Sequence, residues 1–178
     1  MPRMRTLDPD RLGDHVDRLY RAAWGLCGSR EDAEDLVQET FSRVLRKPRL
    51  LRSEDDLGYL LRVLRNTFFS SHRAASRRLR PEPLPEEMDL VEDRSVVGPH
   101  EALEARELYA LIATLPEPFR DALVAIDLLG LSYREAAQAL HVREATITTR
   151  LHRGRLRLAN ALDGKDSDAE DVLNGRAT

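Results

Sequence analysis

Three sets of side chains in this 178-residue chain have the types and spacing to engage a charged partner. The first lies within SYREAAQALHVREATITTRLHRGR, residues 132–155, and runs slightly beyond it: Thr146, Thr148, Thr149, Arg150, His152, Arg153, Arg155 and Arg157, with no acid between Glu144 and Asp163. Hydroxyls, an imidazole and guanidinium groups along one helix offer hydrogen bonds to base edges and to phosphates. The second set is Arg62, Arg65, His72, Arg73, Arg77, Arg78 and Arg80, with Asn66, Thr67, Phe68, Phe69, Ser70 and Ser71 interleaved. Cations attract phosphates, and aromatic faces stack on bases taken out of a duplex; burial in a core accounts equally well for each Phe. The third set has the opposite sign: Glu31, Asp32, Glu34, Asp35, Gln38 and Glu39 put six acidic or amide groups in nine residues. Acids suit a helix N-terminus, and a surface for a basic partner explains the same composition.

Other chemistry is poorly supplied. A single cysteine, Cys27, excludes a disulfide framework and a Cys-rich zinc site. It reads as a small buried apolar residue. The histidines have no metal-ligand spacing, no triad is visible, and no carboxylate cluster sits on a basic surface to hold a catalytic metal. The expectation is a protein that is not an enzyme and needs no metal or cofactor. No apolar run reaches membrane-spanning length and the N-terminus lacks a secretory core, which points to a cytoplasmic protein without membrane insertion.

The elements that must position these residues are helices. Charged residues at 33% and aromatics at 5% suit short amphipathic helices, and the alternation of strands is missing. A first helix is expected from about Asp10 to Cys27, with Val16, Leu19, Tyr20, Ala23, Trp24 and Cys27 inward and Gly28 as its stop. Residues 1–10 are expected to fray. Ser29 caps a second helix whose buried stripe is Ala33, Leu36, Val37, Phe41, Val44 and Leu45. A polar loop from Pro48 to Asp56 precedes a third helix, about Leu57 to Leu79, with Leu57, Leu60, Leu61, Leu64 and Phe68 inward. Helical pattern returns at Glu101 until Pro116, and again over 117–129 before Gly130. Ser132 and Glu135 form a capping box for a short helix bearing Ala136, Ala137, Ala139 and Leu140. A turn at 141–144 leads to a helix with Ile147, Leu151 and Leu158 inward. That helix pair has the layout of a helix-turn-helix.

Charge divides the chain. Residues 1–80 carry net +5, 81–118 net −8, 119–162 net +3 and 163–178 net −3. Two basic blocks separated by an acidic, proline-rich stretch predict two polyanion-facing modules and a linker. The expected organisation is all-α: a helical bundle at 8–80, a flexible acidic linker at 81–100, a helix-turn-helix domain at 101–162, and a mobile acidic tail at 163–178.

Taken together, SREDAEDLVQETFSRVL, LGYLLRVLRNTFFSSHR and LPEPFRDALVAIDLLGLSYREAAQALHVREATITTRLHRGRLRL resemble, in this order, a bacterial sigma factor of the extracytoplasmic-function (ECF) group. The resemblance covers about residues 10–162. It implies that the first module is region 2 and the second region 4. It implies docking of Asp35, Leu36, Gln38, Glu39 and Phe41 on the β′ coiled coil of core RNA polymerase, with further contact to the β subunit. It assigns recognition and melting of the −10 promoter element to Arg62, Arg65, Asn66, Thr67, Phe68, His72, Arg73 and Arg77. Asn66, Thr67 and Phe68 match the loop that captures an extruded base. Thr146, Thr148, Thr149, Arg150, His152 and Arg153 would enter the major groove of the −35 element. The partners implied are core polymerase, promoter DNA and an anti-sigma factor.

Two positions depart from the family pattern. His141 stands where the helix-turn-helix turn usually has Gly, so a left-handed backbone there carries a cost. Thr148 stands where Lys or Arg is common, which alters contact with phosphate or guanine. The alternative function is a free-standing helix-turn-helix regulator, which would dimerise to gain enough contacts.

Overall fold

The computed structural model describes residues 5–7, 12–46, 50–51, 56–78 and 99–173. The elements are β1 (Arg5–Thr6), a 3-10 turn (Gly13–His15), α1 (Val16–Cys27), α2 (Arg30–Arg46), β2 (Leu50–Leu51) and α3 (Asp56–Arg78) in the first half. The second half holds α4 (Pro99–Thr114), α5 (Glu117–Leu123), a π turn (Val124–Leu128), α6 (Tyr133–Leu140) and α7 (Glu144–Leu173). The all-α expectation holds. Residues 81–98 of the linker expected at 81–100 lie outside the described residues, and α4 begins at Pro99, two residues before the sequence pattern places it.

Helices α1, α2 and α3 pack on one another. Leu19, Ala22, Ala23 and Leu26 of α1 meet Ala33, Leu36, Val37 and Val44 of α2 and Leu60, Leu61, Leu64 and Phe68 of α3, all buried. Each fully buried leucine removes enough apolar surface to stabilise the bundle by about 2 kcal/mol. Gly28 ends α1 in the left-handed region at φ 79°, where its N–H donates to the Trp24 carbonyl at 2.8 Å. The Ser29 hydroxyl accepts from the Asp32 N–H at 3.2 Å and donates to the Asp32 carboxylate at 2.8 Å, which starts α2.

The sequence pattern misses three features. β1 pairs antiparallel with β2, Arg5 opposite Leu51 and Thr6 opposite Leu50, so residues 5–6 are not frayed. Two residues are too short to show the alternation by which strands are recognised. Helix 117–129 is not uniform: α5 stops at Leu123, and the Leu129 N–H reaches back to the Val124 carbonyl at 3.0 Å, the spacing of a π turn. Finally, α7 continues to Leu173, into the expected mobile tail. No proline interrupts 145–173, and isolated glycines such as Gly154 and Gly164 are tolerated in a helix at some cost.

In the second half, Ile112, Leu115, Leu123, Val124, Leu129, Ile147 and Leu151 form the core, closed by the buried Ala136, Ala137 and Ala139 of α6. The two halves are in contact: α1 packs against α4 and the π turn, and α3 against α6.

Candidate nucleic-acid interfaces

The helix-turn-helix is assembled from short-range hydrogen bonds. The Ser132 hydroxyl accepts from the Glu135 N–H at 3.3 Å, and the Glu135 carboxylate accepts from the Ser132 N–H at 2.7 Å. Those bonds to Ser132 hold the Glu135 pKa below the ordinary glutamate value. At the other end of α6, His141 adopts φ 56°, ψ 44°. Among the described residues it is the one non-glycine at positive φ. The cost expected of His at this position is therefore met, and the N–H groups of His141 and Val142 both return to the Ala137 carbonyl.

Helix α7 is seated by Ile147 and Leu151, which are fully buried or nearly so, and by Gly154. A Cβ at Gly154 would stand 3.1 Å from the Phe119 carbonyl oxygen, so a side chain here would press α5 and α7 apart by a few tenths of an ångström. Two contacts beyond the sequence reading fix its azimuth. Asp127, in the π turn, takes Arg155 in a bidentate pair, Nε to Oδ2 at 3.0 Å and Nη2 to Oδ1 at 2.5 Å. The Arg157 guanidinium lies 5.0 Å from the Phe119 ring centroid. Arg155 is thus a brace of the helix rather than a free cation. A separation of 28 residues gives no local sequence signal for it.

What α7 leaves outward is Thr148, Thr149, His152 and Arg153, all exposed, with Thr146 and Arg150 half-buried at the edge. The Thr148 and Thr149 hydroxyls donate to the carbonyls of Glu144 and Ala145, at 3.2 and 3.0 Å. Their protons serve the helix, which leaves methyl groups and acceptor lone pairs for a groove.

The α2 acids form one solvent-facing surface. Glu31, Asp32, Glu34, Asp35, Gln38 and Glu39 are all exposed. Glu34 pairs with Arg30 one turn back at 3.4 Å, and Glu39 with Arg43 one turn on at 2.8 Å. Among the described residues no cation pairs with Asp35. Of the two apolar members of the docking set, Leu36 is buried and Phe41 half-buried against the core, so they support the surface from beneath.

The α3 set is placed differently. Asn66, His72 and Arg73 are exposed and Arg62 is half-buried. Thr67 is buried, its hydroxyl donating to the Val63 carbonyl at 2.8 Å. Phe68 is buried between His72, ring centroids 4.3 Å apart, and the Arg120 guanidinium of α5 at 5.3 Å. Arg65 is engaged by two carboxylates of α5, Nε to Asp121 Oδ2 and Nη2 to Glu117 Oε1, both 2.6 Å. Asp121 is 4% exposed; burial pushes its carboxyl up from the usual range, against the pull of Arg65 and Arg120. The side chain of Arg77 lies outside the described residues. Cys27 is half-buried, and burial first, then the nearby Asp32 carboxylate, pushes its thiol up to about 12, which keeps it protonated and unreactive at neutral pH.

Among the described residues no helix is long and apolar enough to cross a membrane. The described residues form a two-part, predominantly helical protein with a helix-turn-helix in the second part and an exposed acidic helix in the first. Residues 12–78 match the family Sigma-70 region 2, and residues 105–158 match Sigma-70 region 4. The chain is 40% identical over 157 residues to the ECF RNA polymerase sigma factor SigE of Mycolicibacterium smegmatis, covering 86% of this chain and 61% of that one. It spans, therefore, about three fifths of that relative's length. It is 32% identical over 174 residues to the ECF RNA polymerase sigma factor EcfG of Rhodopseudomonas palustris, covering 96% of this chain and 94% of that one. Two solved structures share the fold. One is CnrH in complex with the cytosolic domain of CnrY, with TM-score 0.63, 21% identity, and 87% and 86% of the two chains covered. The other is the sigma factor RpoE in complex with the anti-sigma factor NepR from Bartonella quintana, with TM-score 0.62, 23% identity, and 88% and 98% covered. The chain belongs to the ECF sigma factors.

Proposed function

We propose that this protein docks on core RNA polymerase and directs it to promoters, with a separate task for each half. The acidic face of α2, through Asp35, Gln38 and Glu39 over Leu36 and Phe41, meets the basic partner, the β′ coiled coil. Arg62, Arg65, Asn66, Thr67, Phe68, His72, Arg73 and Arg77 of α3 read and help open the −10 element. Opening costs a few kcal/mol for each unstacked step, and captured bases offset part of it. Thr146, Thr148, Thr149, Arg150, His152 and Arg153 of α7 enter the −35 major groove. The observation that carries this reading is one chain bearing both an open acidic docking helix and a braced recognition helix with an exposed polar face.

The module boundaries proposed are 8–80 and 101–162, joined by 81–100. The site of action is the cytoplasm, where polymerase works. A protein inhibitor of the anti-sigma type is proposed by analogy with the Bartonella complex. Sigma factors regulate initiation without being enzymes, and the reading needs no reaction of this chain. The test is run-off transcription with purified core polymerase on a library of genomic fragments. Defined transcripts that depend on this protein support the reading. Failure to start transcription on every template overturns it, and a dimer that shifts a palindrome without polymerase would favour the free-standing regulator.

A further inference from the structure

The outward face of α7 changes in chemistry along its length. Ala145, Thr148, Thr149 and His152 are all exposed, and their spacing of three and four residues puts them on one face. Thr146 is half-buried at the edge of that face and Ile147 is buried behind it. Among the exposed side chains from Glu144 to Thr149, none has a proton left to donate. Glu144 carries acceptors alone and Ala145 neither donor nor acceptor. The hydroxyl protons of Thr148 and Thr149 are spent on the Glu144 and Ala145 carbonyls, at 3.2 and 3.0 Å. The first exposed donors of this helix are those of His152 and Arg153, with Arg150 half-buried beside them.

This order limits which bases the first turns of α7 can meet. A threonine oxygen that close to a main-chain carbonyl is drawn back against the helix, which leaves the Cγ2 methyl as the leading group. With Ala145 Cβ, three methyl groups stand together. In the major groove guanine presents only the acceptors N7 and O6, whereas thymine presents a C5 methyl. Against methyl groups, the guanine acceptors would be desolvated without a partner. The thymine methyl would bury apolar surface there instead. The N-terminal residues of a recognition helix are the ones that reach base edges.

We propose that Ala145, Thr148 and Thr149 form a methyl stripe that reads thymine C5 methyl groups in the −35 element. Donors to guanine and phosphate come from Arg150, His152 and Arg153, further along the helix. Ala145 thereby joins the set of base-reading residues. Thr148, standing where Lys or Arg is common, exchanges a polar contact for an apolar one. This inference rests on the assignment of α7 to the −35 element.

The test uses the full-length protein with core polymerase and a promoter recovered by run-off transcription. Each thymine of the −35 element, on either strand, is replaced in turn by deoxyuridine, which removes the C5 methyl and leaves base pairing unchanged. Affinity is read by competition against the fluorescein-labelled parent duplex. At one or more thymines, the loss expected for wild type is about fourfold, the worth of one buried methyl. Thr148→Ser, Thr149→Ser and Ala145→Gly each remove one protein methyl, and the serines keep the helix-bonded hydroxyl. At each sensitive thymine, one of these variants should cut the uracil penalty to less than about 1.5-fold, because the two methyls act as a pair. Thr148→Val and Thr149→Val keep the methyl and drop the oxygen, and they should retain the penalty. Wild-type indifference to every uracil overturns the stripe, as does a penalty that persists in all three methyl-removing variants. A penalty abolished in the valine variants also overturns it, and gives the contact to the oxygen. A scrambled −35 element tells the two failures apart. If scrambling leaves wild-type affinity unchanged, the −35 assignment and the stripe both fall. If scrambling weakens binding and no uracil does, the stripe alone falls.

Discussion

The two helices proposed to face DNA differ in what surrounds them. On α7 the polar side chains point to solvent and the helix is held from behind, by Ile147, Leu151, Gly154 and the Asp127–Arg155 pair. On α3 the corresponding side chains take part in packing: Thr67 and Phe68 are buried and Arg65 is ion-paired across the divide. A surface with its own support can be altered without disturbing the fold. A surface that doubles as an interface cannot, so at α3 the effects of a substitution on stability and on the proposed DNA binding are entangled.

The sharpest challenge to this contrast is made at the third surface, which is open like that of α7. Asp35→Arg should abolish co-purification with core polymerase while leaving the far-UV circular dichroism unchanged; wild-type recovery would remove α2 from the docking role. Next in size is Arg65→Ala, which strands the buried Asp121 carboxylate. A stability loss of about 3 kcal/mol is expected, read by urea unfolding. Adding Asp121→Asn should restore most of it. Arg153→Ala on the open helix should change stability by less than about 0.5 kcal/mol. Equal losses at Arg65 and Arg153 would break the comparison.

A smaller effect is expected at Thr148. Thr148→Arg places a cation on the open face, and the slope of log binding against log salt for −35 duplex should steepen by about one. An unchanged slope would take residue 148 out of phosphate reach. The least effect comes from the Glu135 cap. Its carboxyl is depressed by bonds from Ser132, so its stabilising contribution is complete above the ordinary glutamate pKa. It is lost as pH falls through the depressed value. Glu135→Gln should cost about 1 kcal/mol or less at neutral pH and flatten that acid limb of the unfolding profile.

Local features of the fold were readable in the chain. Ser132 and Glu135 announce their capping box, Gly28 its stop, and the apolar spacing of α2, α3 and α7 most of their inward faces, because each signal lies within one turn or one helix; Leu45, expected in the α2 stripe, is instead exposed. His141 was readable as a point of strain for the same reason. The exposed α2 acids and the outward face of α7 follow from the same periodicity. Not readable were the partners of Arg65, 52 and 56 residues away, the brace at Arg155 and the purpose of Gly154. Those depend on how separate helices come together, and a helix-interior glycine looks the same whether it seats a neighbour or faces solvent. Trp24 shows the limit well: expected in the core of its own bundle, it lies half-buried against a ring from the other half.

That placement equips the molecule with a natural optical gauge. Trp24 is the sole tryptophan in the chain, so its ultraviolet emission comes from one known spot. Parting the stacked rings would expose the indole to solvent and shift its fluorescence to longer wavelength. Rapid mixing with core polymerase could thus time the event in unlabelled, unmutated protein.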